Sequence, residues 1–177
     1  MDHLHKNNLL SANQFGFVKH RSTKIQMMLV MDEWTKLLDH GTAVDIIYLD
    51  FMKAFDKVSH SHLLHKMESL GINQTVLTWL QEFLYGRSQA VVYNNCRSST
   101  NKVQSGVPQG TVIGPVSFVS FVNDLPKVVS SSIYMFADDT KMFRGITDNA
   151  DHHQLQTDID NLVAWSAVLR LSFNPVK

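Results

Sequence analysis

The sequence predicts an α+β fold, in which a small, mostly antiparallel sheet is covered by helices on one face. Three observations support this prediction. Apolar residues recur at helical spacing in several segments, of which residues 22–40 are the first long one. Residues 43–49 form a short run of strand-forming residues. Two further runs, residues 133–137 and 140–143, lie so close together that they predict a β-hairpin.

The first long helix is expected to begin at Ser22 or Thr23, since both residue types are good N-caps, and to end before Gly41. Residues 43–49, with the sequence AVDIIYL, are expected to form a buried strand that ends at Asp50. The helix carries a broad apolar face, formed by Ile25, Met28, Leu29, Met31, Trp34, Leu37 and Leu38.

The capping residues place two further helices. One is expected from Ser59 or Ser61 to Leu70, where Gly71 stops it, and Asn73 is expected to cap another. The remaining predicted elements are that helix at 74–85, strands at 89–94 and 100–104, an apolar helix at 111–123, and a helix at 151–171 with Leu155, Ile159, Leu162, Val163 and Trp165 inward and Asp158 and Asp160 outward.

The predicted hairpin carries Asp138 and Asp139 at its tip. Tight hairpin turns favour Asn-Gly or Asp-Gly, because these residues accept a positive φ. Two adjacent carboxylates also repel each other. The pair therefore indicates either a functional site or a surface turn that uses Asp for its geometry.

The composition excludes few functions. Lys plus Arg equals Asp plus Glu at 16 each, and a net charge of zero neither indicates nor excludes nucleic-acid binding. The single cysteine, Cys96, excludes a disulfide framework within the chain. No apolar run is long enough to span a bilayer, so no membrane partner is expected. The nine histidines lack the spacing of a metal motif, and solvated helix-end histidines are the simpler interpretation.

A metal site is predicted where the strand and the hairpin meet. If Asp50, Asp138 and Asp139 lie together in one sheet, two charges at ~4 Å repel by roughly 4 kcal/mol at an effective dielectric of about 20. Protonation of one group or a bound divalent cation would relieve this repulsion. Oxygen donors favour Mg²⁺ or Mn²⁺, and two such ions suit phosphoryl transfer. The alternative is that Asp50 only ends a strand and caps the segment after it.

Other residues are candidates for nucleotide contact. Phe55 would either wall a sugar site or pack in the core. Residues 105–115, SGVPQGTVIGP, precede an apolar helix whose N-terminus favours anions, and Gln109 could bond a base or a phosphate. Lys19 and Arg21 stand just before a helix, where a cation is either solvated or available to an anion.

Taken in order, these motifs resemble the reverse transcriptases of non-LTR (LINE-type) retrotransposons, most closely the jockey-like arthropod kind. The likeness runs from about Leu9 to the last residue, although Val18 stands where the family usually has arginine. The motifs are QFGFVKHRST at 14–23, LDFMKAFDKV at 49–58, SGVPQGTVIGP at 105–115, NDLP at 123–126, FADDTK at 136–141, and Trp165 with Asn174 and Lys177.

The resemblance implies roles for individual residues. Asp50 and Asp138 would hold two Mg²⁺ ions, assisted by Asp139 and by the backbone carbonyl of Phe51. Phe55 would be the steric gate that rejects a ribose 2′-hydroxyl. The remaining nucleotide-binding residues would be Lys19 and Arg21 at the triphosphate, Pro108, Gln109 and Gly110 beneath the nucleotide and template base, and Lys177 as a general acid.

The resemblance also implies a right-hand polymerase, with residues 1–42 from the fingers and residues 43–177 mainly from the palm, without thumb or endonuclease. Its activity would be RNA-directed DNA synthesis for retrotransposition, in which dNMP passes from dNTP to a DNA primer 3′-OH on an RNA template. The missing polyprotein segments would be partners, and the location would be intracellular, in the nucleus and in cytoplasmic ribonucleoprotein. The alternative is an inactive or co-opted remnant that binds nucleic acid or protein.

Overall fold

The computed structural model describes residues 1–174 of the chain. The 3₁₀ turn within this range is Leu125–Val128. The helices of these residues are α1 Asp2–Lys6, α2 Thr23–Asp39, α3 His60–Ser69, α4 Gln74–Leu84, α5 Ile113–Phe121 and α6 Asn149–Leu169. The strands are β1 Ala43–Leu49, β2 Ser88–Gln89, β3 Val92–Tyr93, β4 Cys96–Arg97, β5 Asn101–Lys102, β6 Ser132–Phe136 and β7 Asp139–Ile146. None of the helices within residues 1–174 has the length and apolarity that a bilayer crossing needs.

The main sheet of the described residues is antiparallel, with the strand order β1–β7–β6. Leu49 at the end of β1 pairs with Thr140, and Phe136 at the end of β6 pairs with Asp139. The end of β1 therefore lies beside the start of β7. The predicted α+β class is confirmed, although β1 is half-buried rather than buried, because it lies at the edge of this sheet.

Helices contact both faces of the sheet, whereas the sequence predicted one covered face. Ile133 and Met142 point into the main core, which α3 to α6 complete. On the opposite face the rings of Tyr134 and Phe143 stack with centroids 6.0 Å apart, and Trp34 of α2 meets Phe143 edge-on at 5.6 Å. Helix α2 is thus the cover of the second face.

Helix α2 begins where its capping residue predicts, because the Ser22 hydroxyl accepts a hydrogen bond from the backbone N–H of Ile25 at 3.3 Å. Its predicted apolar face is largely exposed, however. Met28 is 71% exposed, while the buried residues of the helix are Gln26 and Val30. The narrow sheet covers only one side of the helix, so apolar character alone did not predict which side is buried.

Two side-chain orientations predicted for helix α6 are wrong. Asp158, expected to face outward, is only 1% exposed, and Val163, expected to face inward, is 55% exposed. The Asp158 carboxylate accepts hydrogen bonds from the backbone N–H groups of Ser130 at 3.0 Å and Ser131 at 2.8 Å. Burial works to raise the pKa of Asp158, but these hydrogen bonds outweigh burial and hold that pKa below its usual value.

The region between α4 and α5 also differs from the prediction. Two strands were expected at 89–94 and 100–104, whereas β2 pairs with β5 and β3 pairs with β4. The tip of the inner hairpin is formed by Asn94 and Asn95, whose φ angles are 46° and 60°. Asparagine tolerates these left-handed angles, which a type I′ turn requires. The Asn-Asn pair was therefore the turn signal that the strand prediction overlooked.

Candidate active site

An acidic edge lies where β1 ends and β7 begins. Asp50 and Asp139 both line a cavity of about 730 Å³ at this edge, together with Gln26 of α2 and with Lys141. The pairing of Leu49 with Thr140 explains this arrangement, because it brings the residue after β1 beside the first residue of β7. The sequence-based expectation that residue 50 meets the acidic hairpin is therefore supported for Asp139.

The hairpin turn is formed by Ala137 and Asp138, not by the predicted pair Asp138 and Asp139. Asp139 instead begins β7 and pairs with Phe136. At Ala137 φ is +56°, a positive value of the kind that primed hairpin turns require at their first central residue. A side chain in this region costs about 1–3 kcal/mol, so the surrounding structure must hold the turn.

A segment from the start of the chain holds this turn. The Gln14 side chain accepts hydrogen bonds from the backbone N–H of Ala137 at 2.8 Å and of Gly16 at 2.7 Å, and its Nε2 donates to the Ala137 carbonyl at 3.4 Å. The backbone N–H of Phe15 donates to the Met135 carbonyl at 2.8 Å. Sequence reasoning used Gln14 and Gly16 only as part of a motif and missed this supporting role.

Asn174 is a second residue whose role sequence reasoning missed. Its backbone N–H donates to the Asp50 carbonyl at 2.8 Å, and its Nδ2 donates to Asp50 Oδ2 at 3.3 Å. The preceding Phe173 pairs with Phe51, and the two rings stack at 4.8 Å. This segment fixes Asp50 through both its backbone and its side chain. The predicted general acid, Lys177, lies outside the described residues.

The donor atoms at the acidic edge suit a hard cation. Asp50 and Asp139 share one cavity, Asp138 occupies the adjoining turn, and all of their donors are oxygen. Within residues 1–174 no three His, Cys, Asp or Glu side chains form a group that could hold a metal ion. Magnesium is commonly held by one or two carboxylates together with substrate phosphates, which this set fits. The metal roles of these residues and of the Phe51 carbonyl stay predictions.

A second cavity, of about 530 Å³, brings together Phe55, Gln109 and Gly110, and Phe17 also lines it. The Phe55 ring stacks on Phe118, with centroids 4.6 Å apart. Phe55 is half-buried. The core alternative for Phe55 is therefore observed on one side of the ring. The residue also walls a cavity, and its contact with a sugar stays a prediction.

Backbone hydrogen bonds join the loop before α5 to the connection after β1. The N–H of Val107 donates to the Phe55 carbonyl, and the N–H of Gly106 donates to the Val58 carbonyl, both at 2.8 Å. A Cβ at Gly106 would lie 2.7 Å from the Asp56 carbonyl oxygen, and φ there is +90°. Only glycine allows the two backbone segments to come this close. Their contact places Gln109 and Phe55 at the same cavity.

A third cavity adjoins the second, because Gln109 lines both. It has a volume of about 630 Å³, and Pro108 also lines it. Three cations border it, namely Lys53, Arg87 and Lys102, with Asp56 as an acidic neighbour. The guanidinium of Arg87 is held in place by donation to the Gly106 carbonyl at 3.1 Å.

Comparison with known families accounts for these motifs. Residues 1–177 match the family described as reverse transcriptase (RNA-dependent DNA polymerase). The chain belongs to this reverse transcriptase family. It is 30% identical over 173 residues to the RNA-directed DNA polymerase from mobile element jockey of Drosophila funebris, a match that covers 93% of this chain and 19% of that protein.

A second relative is the probable RNA-directed DNA polymerase from transposon BS of Drosophila melanogaster. This chain is 28% identical to it over 181 residues, a match that covers 96% of this chain and 20% of that protein. This reverse transcriptase chain therefore spans about a fifth of the length of these two relatives. The predicted resemblance to jockey-like elements is confirmed.

Two telomerases are among the solved structures with a similar fold. The telomerase of Candida tropicalis in complex with a TWJ fragment of telomeric RNA matches with a TM-score of 0.68 at 10% identity, over 97% of this chain and 31% of that one. The Candida albicans telomerase in the corresponding complex matches with a TM-score of 0.65 at 14% identity, over 88% and 29%. At these identities the likeness concerns the fold alone.

Within this reverse transcriptase chain, Arg21 has a structural role. Its Nη1 donates to the carbonyl oxygens of residues 11, 12 and 14 at 2.6–3.0 Å, and the guanidinium lies 5.3 Å from the centroid of the Phe15 ring. Arg21 thereby fixes the segment that holds the acidic turn. Lys19 is exposed. The contacts of Lys19 and Arg21 with a triphosphate stay predictions.

Proposed function

We propose that this chain forms the polymerase centre of an RNA-directed DNA polymerase of a non-LTR retrotransposon. It would transfer dNMP from dNTP to the 3′-OH of a DNA primer on an RNA template. The observation that carries the proposal is that Asp50, directly after β1, and Asp139, at the start of β7, line one cavity, with Asp138 in the adjoining turn. The remaining segments of a longer polyprotein would complete the enzyme, in the nucleus and in cytoplasmic ribonucleoprotein.

Asp50, Asp138 and Asp139 would hold Mg²⁺, or Mn²⁺ in its place. Two bound ions stabilise the attacking and leaving oxygens of an in-line phosphoryl displacement. The chain's own contribution is to place the donors. Asp50 directly follows strand β1, the turn carries Asp138, and the hydrogen bond from Asn174 to Asp50 Oδ2 orients that carboxylate.

The cavity beside Phe55 would receive the incoming nucleotide. Gln109 and Gly110 line it, and helix α5 begins beside it at Ile113, where the positive end of the helix dipole favours phosphate. The Phe55 ring, held by its stacking on Phe118, would meet a ribose 2′-hydroxyl and so favour deoxynucleotides.

The template strand would lie along the adjoining cavity. Lys53, Arg87 and Lys102 supply positive charge along it, and phosphates of a nucleic-acid backbone are the anions that such a row binds. Gln109 lines both cavities, so a template strand that places one base at the nucleotide site would run from there into this cavity. Binding of a single-stranded RNA should accordingly weaken as salt increases.

Thermal melting of the 177-residue chain with Mg²⁺ or Mn²⁺ tests the proposal. A cation at 100 times its Kd stabilises the folded state by about 2.7 kcal/mol, which raises Tm by roughly 5–10 °C for a chain of this size. The variants Asp50→Asn and Asp138→Asn should lose this rise. The control Asp160→Asn should keep it, because Asp160 lies on α6 and is not among the residues that line this cavity.

Two results count against the proposed function. An unchanged response to metal in Asp138→Asn would exclude Asp138 from the metal site. No response in the unmodified chain would favour the inactive remnant. Primer extension on poly(rA)/oligo(dT) by a complete polymerase that carries this segment would then test the transfer itself.

A further inference from the structure

The Gln14 side chain is a buried polar group that serves one backbone turn. It is 0% exposed, and its amide bonds Ala137 at both the N–H and the carbonyl. Burial of an amide group costs free energy unless hydrogen bonds within the protein replace those that the group made to water. The same oxygen also accepts from the N–H of Gly16, so the side chain joins its own segment to the turn.

The turn depends on this support because Ala137 is not glycine. Its φ of +56° lies in the left-handed region, where a Cβ is strained. Gly16 packs directly against the turn, since a Cβ at Gly16 would lie 2.3 Å from the Ala137 nitrogen. The next two residues after Ala137 are Asp138 and Asp139, so any relaxation of the turn moves both carboxylates.

We propose that Gln14 is a positioning residue of the acidic site. It holds Ala137 in the left-handed conformation, which sets the direction of the Asp138 carboxylate and keeps Asp139 in register with Phe136. The inference rests on the proposed function, because it concerns the carboxylates that would hold the metal. It goes beyond that function by assigning the geometry of the site to a residue outside it.

The variant Gln14→Met tests this role, because it keeps the length of the side chain and removes its hydrogen bonds. Asn13→Ala is the matched control. Asn13 belongs to the same segment and donates from Nδ2 to the Ile133 carbonyl at 2.7 Å, so its loss also removes a hydrogen bond to β6 without touching the turn. Both variants are made in the 177-residue chain.

Amide hydrogen exchange and Mn²⁺ binding, followed by electron paramagnetic resonance, are the two measurements. Gln14→Met should exchange the Ala137 amide at least ~10-fold faster than the unmodified chain and bind Mn²⁺ ~10-fold more weakly. Asn13→Ala should stay within about twofold in both measurements after correction for global stability. Equal changes in the two variants, or an unchanged Ala137 amide in Gln14→Met, would overturn the inference.

A rescue separates positioning from general support of the fold. Adding Ala137→Gly to Gln14→Met removes the strain of the positive φ, so at least half of the lost Mn²⁺ affinity should return. No recovery would contradict the assigned role. If Gln14→Met does not fold, Gln14→Glu replaces it, since a carboxylate keeps the acceptor but cannot donate to the Ala137 carbonyl, and it must still loosen the turn.

The two proposals fail in different ways. If the unmodified chain does not bind Mn²⁺, the proposed function fails, while the exchange of the Ala137 amide still decides whether Gln14 holds the turn. If the unmodified chain binds Mn²⁺ and Gln14→Met binds it equally well, the metal site stands and the positioning role is refuted.

Discussion

Gly16→Ala tests how closely the acidic turn is packed. A Cβ at this position would lie 2.3 Å from the Ala137 nitrogen and 3.0 Å from the Phe136 carbonyl carbon. Ordinary contact of a Cβ begins near 3.4 Å, so the turn would have to move by about 1 Å. Both neighbours are backbone atoms, which cannot rotate away as the end of a side chain can.

The expected cost comes from this overlap. Overpacking of a tight site costs about 1–3 kcal/mol, which lowers Tm by roughly 2–12 °C in a chain of this size. Because the displaced backbone leads directly into Asp138, the rise in Tm on addition of Mn²⁺ should shrink as well. The assay is thermal melting by circular dichroism, with and without Mn²⁺.

Gly145→Ala is the matched control. It makes the same substitution near the far end of β7, where a Cβ would meet Leu37 Cδ2 at 2.9 Å and Thr42 Cγ2 at 3.1 Å. These are side-chain methyl groups that can shift, so a smaller loss of Tm and an unchanged Mn²⁺ response are expected. If Gly16→Ala loses no more Tm than this control and keeps its full Mn²⁺ response, the reasoning about the turn is refuted.

Three further outcomes are expected. Asp158→Ala should lower the free energy of unfolding by about 2–4 kcal/mol, because the backbone N–H groups of Ser130 and Ser131 lose their acceptor. The control Asp160→Ala should change the free energy of unfolding by less than about 0.5 kcal/mol. Equal losses for the two variants in urea denaturation would refute this difference. Because its folded-state pKa is lowered, the stability that the Asp158 carboxylate contributes should be complete above its unfolded pKa of about 4 and lost as pH falls further, so the Tm gap to Asp158→Asn should narrow as pH falls below about 4. In a complete polymerase, Phe55→Ala should raise the use of ribonucleotides relative to deoxynucleotides roughly tenfold in steady-state kinetics, and unchanged selectivity would remove the gate assignment.

Elements with strong local signals were predictable. The Ala43–Leu49 strand has the predicted bounds, since a dense run of β-forming residues is flanked by turn residues. Helix α4 begins after Asn73, whose side chain accepts from the N–H of Thr75 at 2.8 Å, because capping is a contact between near neighbours. These features depend on residues only a few positions apart, so the sequence alone is enough to predict them.

Features set by distant contacts were not predictable in the same way. The buried side of α2 depends on which sheet face it meets, and the burial of Asp158 depends on N–H groups that another part of the chain presents to it. The turn residues were misplaced by one position. Gln14, which holds that turn, lies 123 residues away in the chain, and no local pattern connects the two.

The chain alone determined the family, the order of its motifs and the carboxylates that form the candidate site, because these are properties of residue type and spacing. The tertiary structure decided which of those carboxylates share a cavity, which glutamine fixes the turn between the hairpin strands, and which asparagine bonds Asp50. The physical reason is that hydrogen bonds and burial join residues that are close in space. Here that closeness comes from the pairing of β1 with β7 and from the bridges of Gln14 with Met135 and of Phe51 with Phe173.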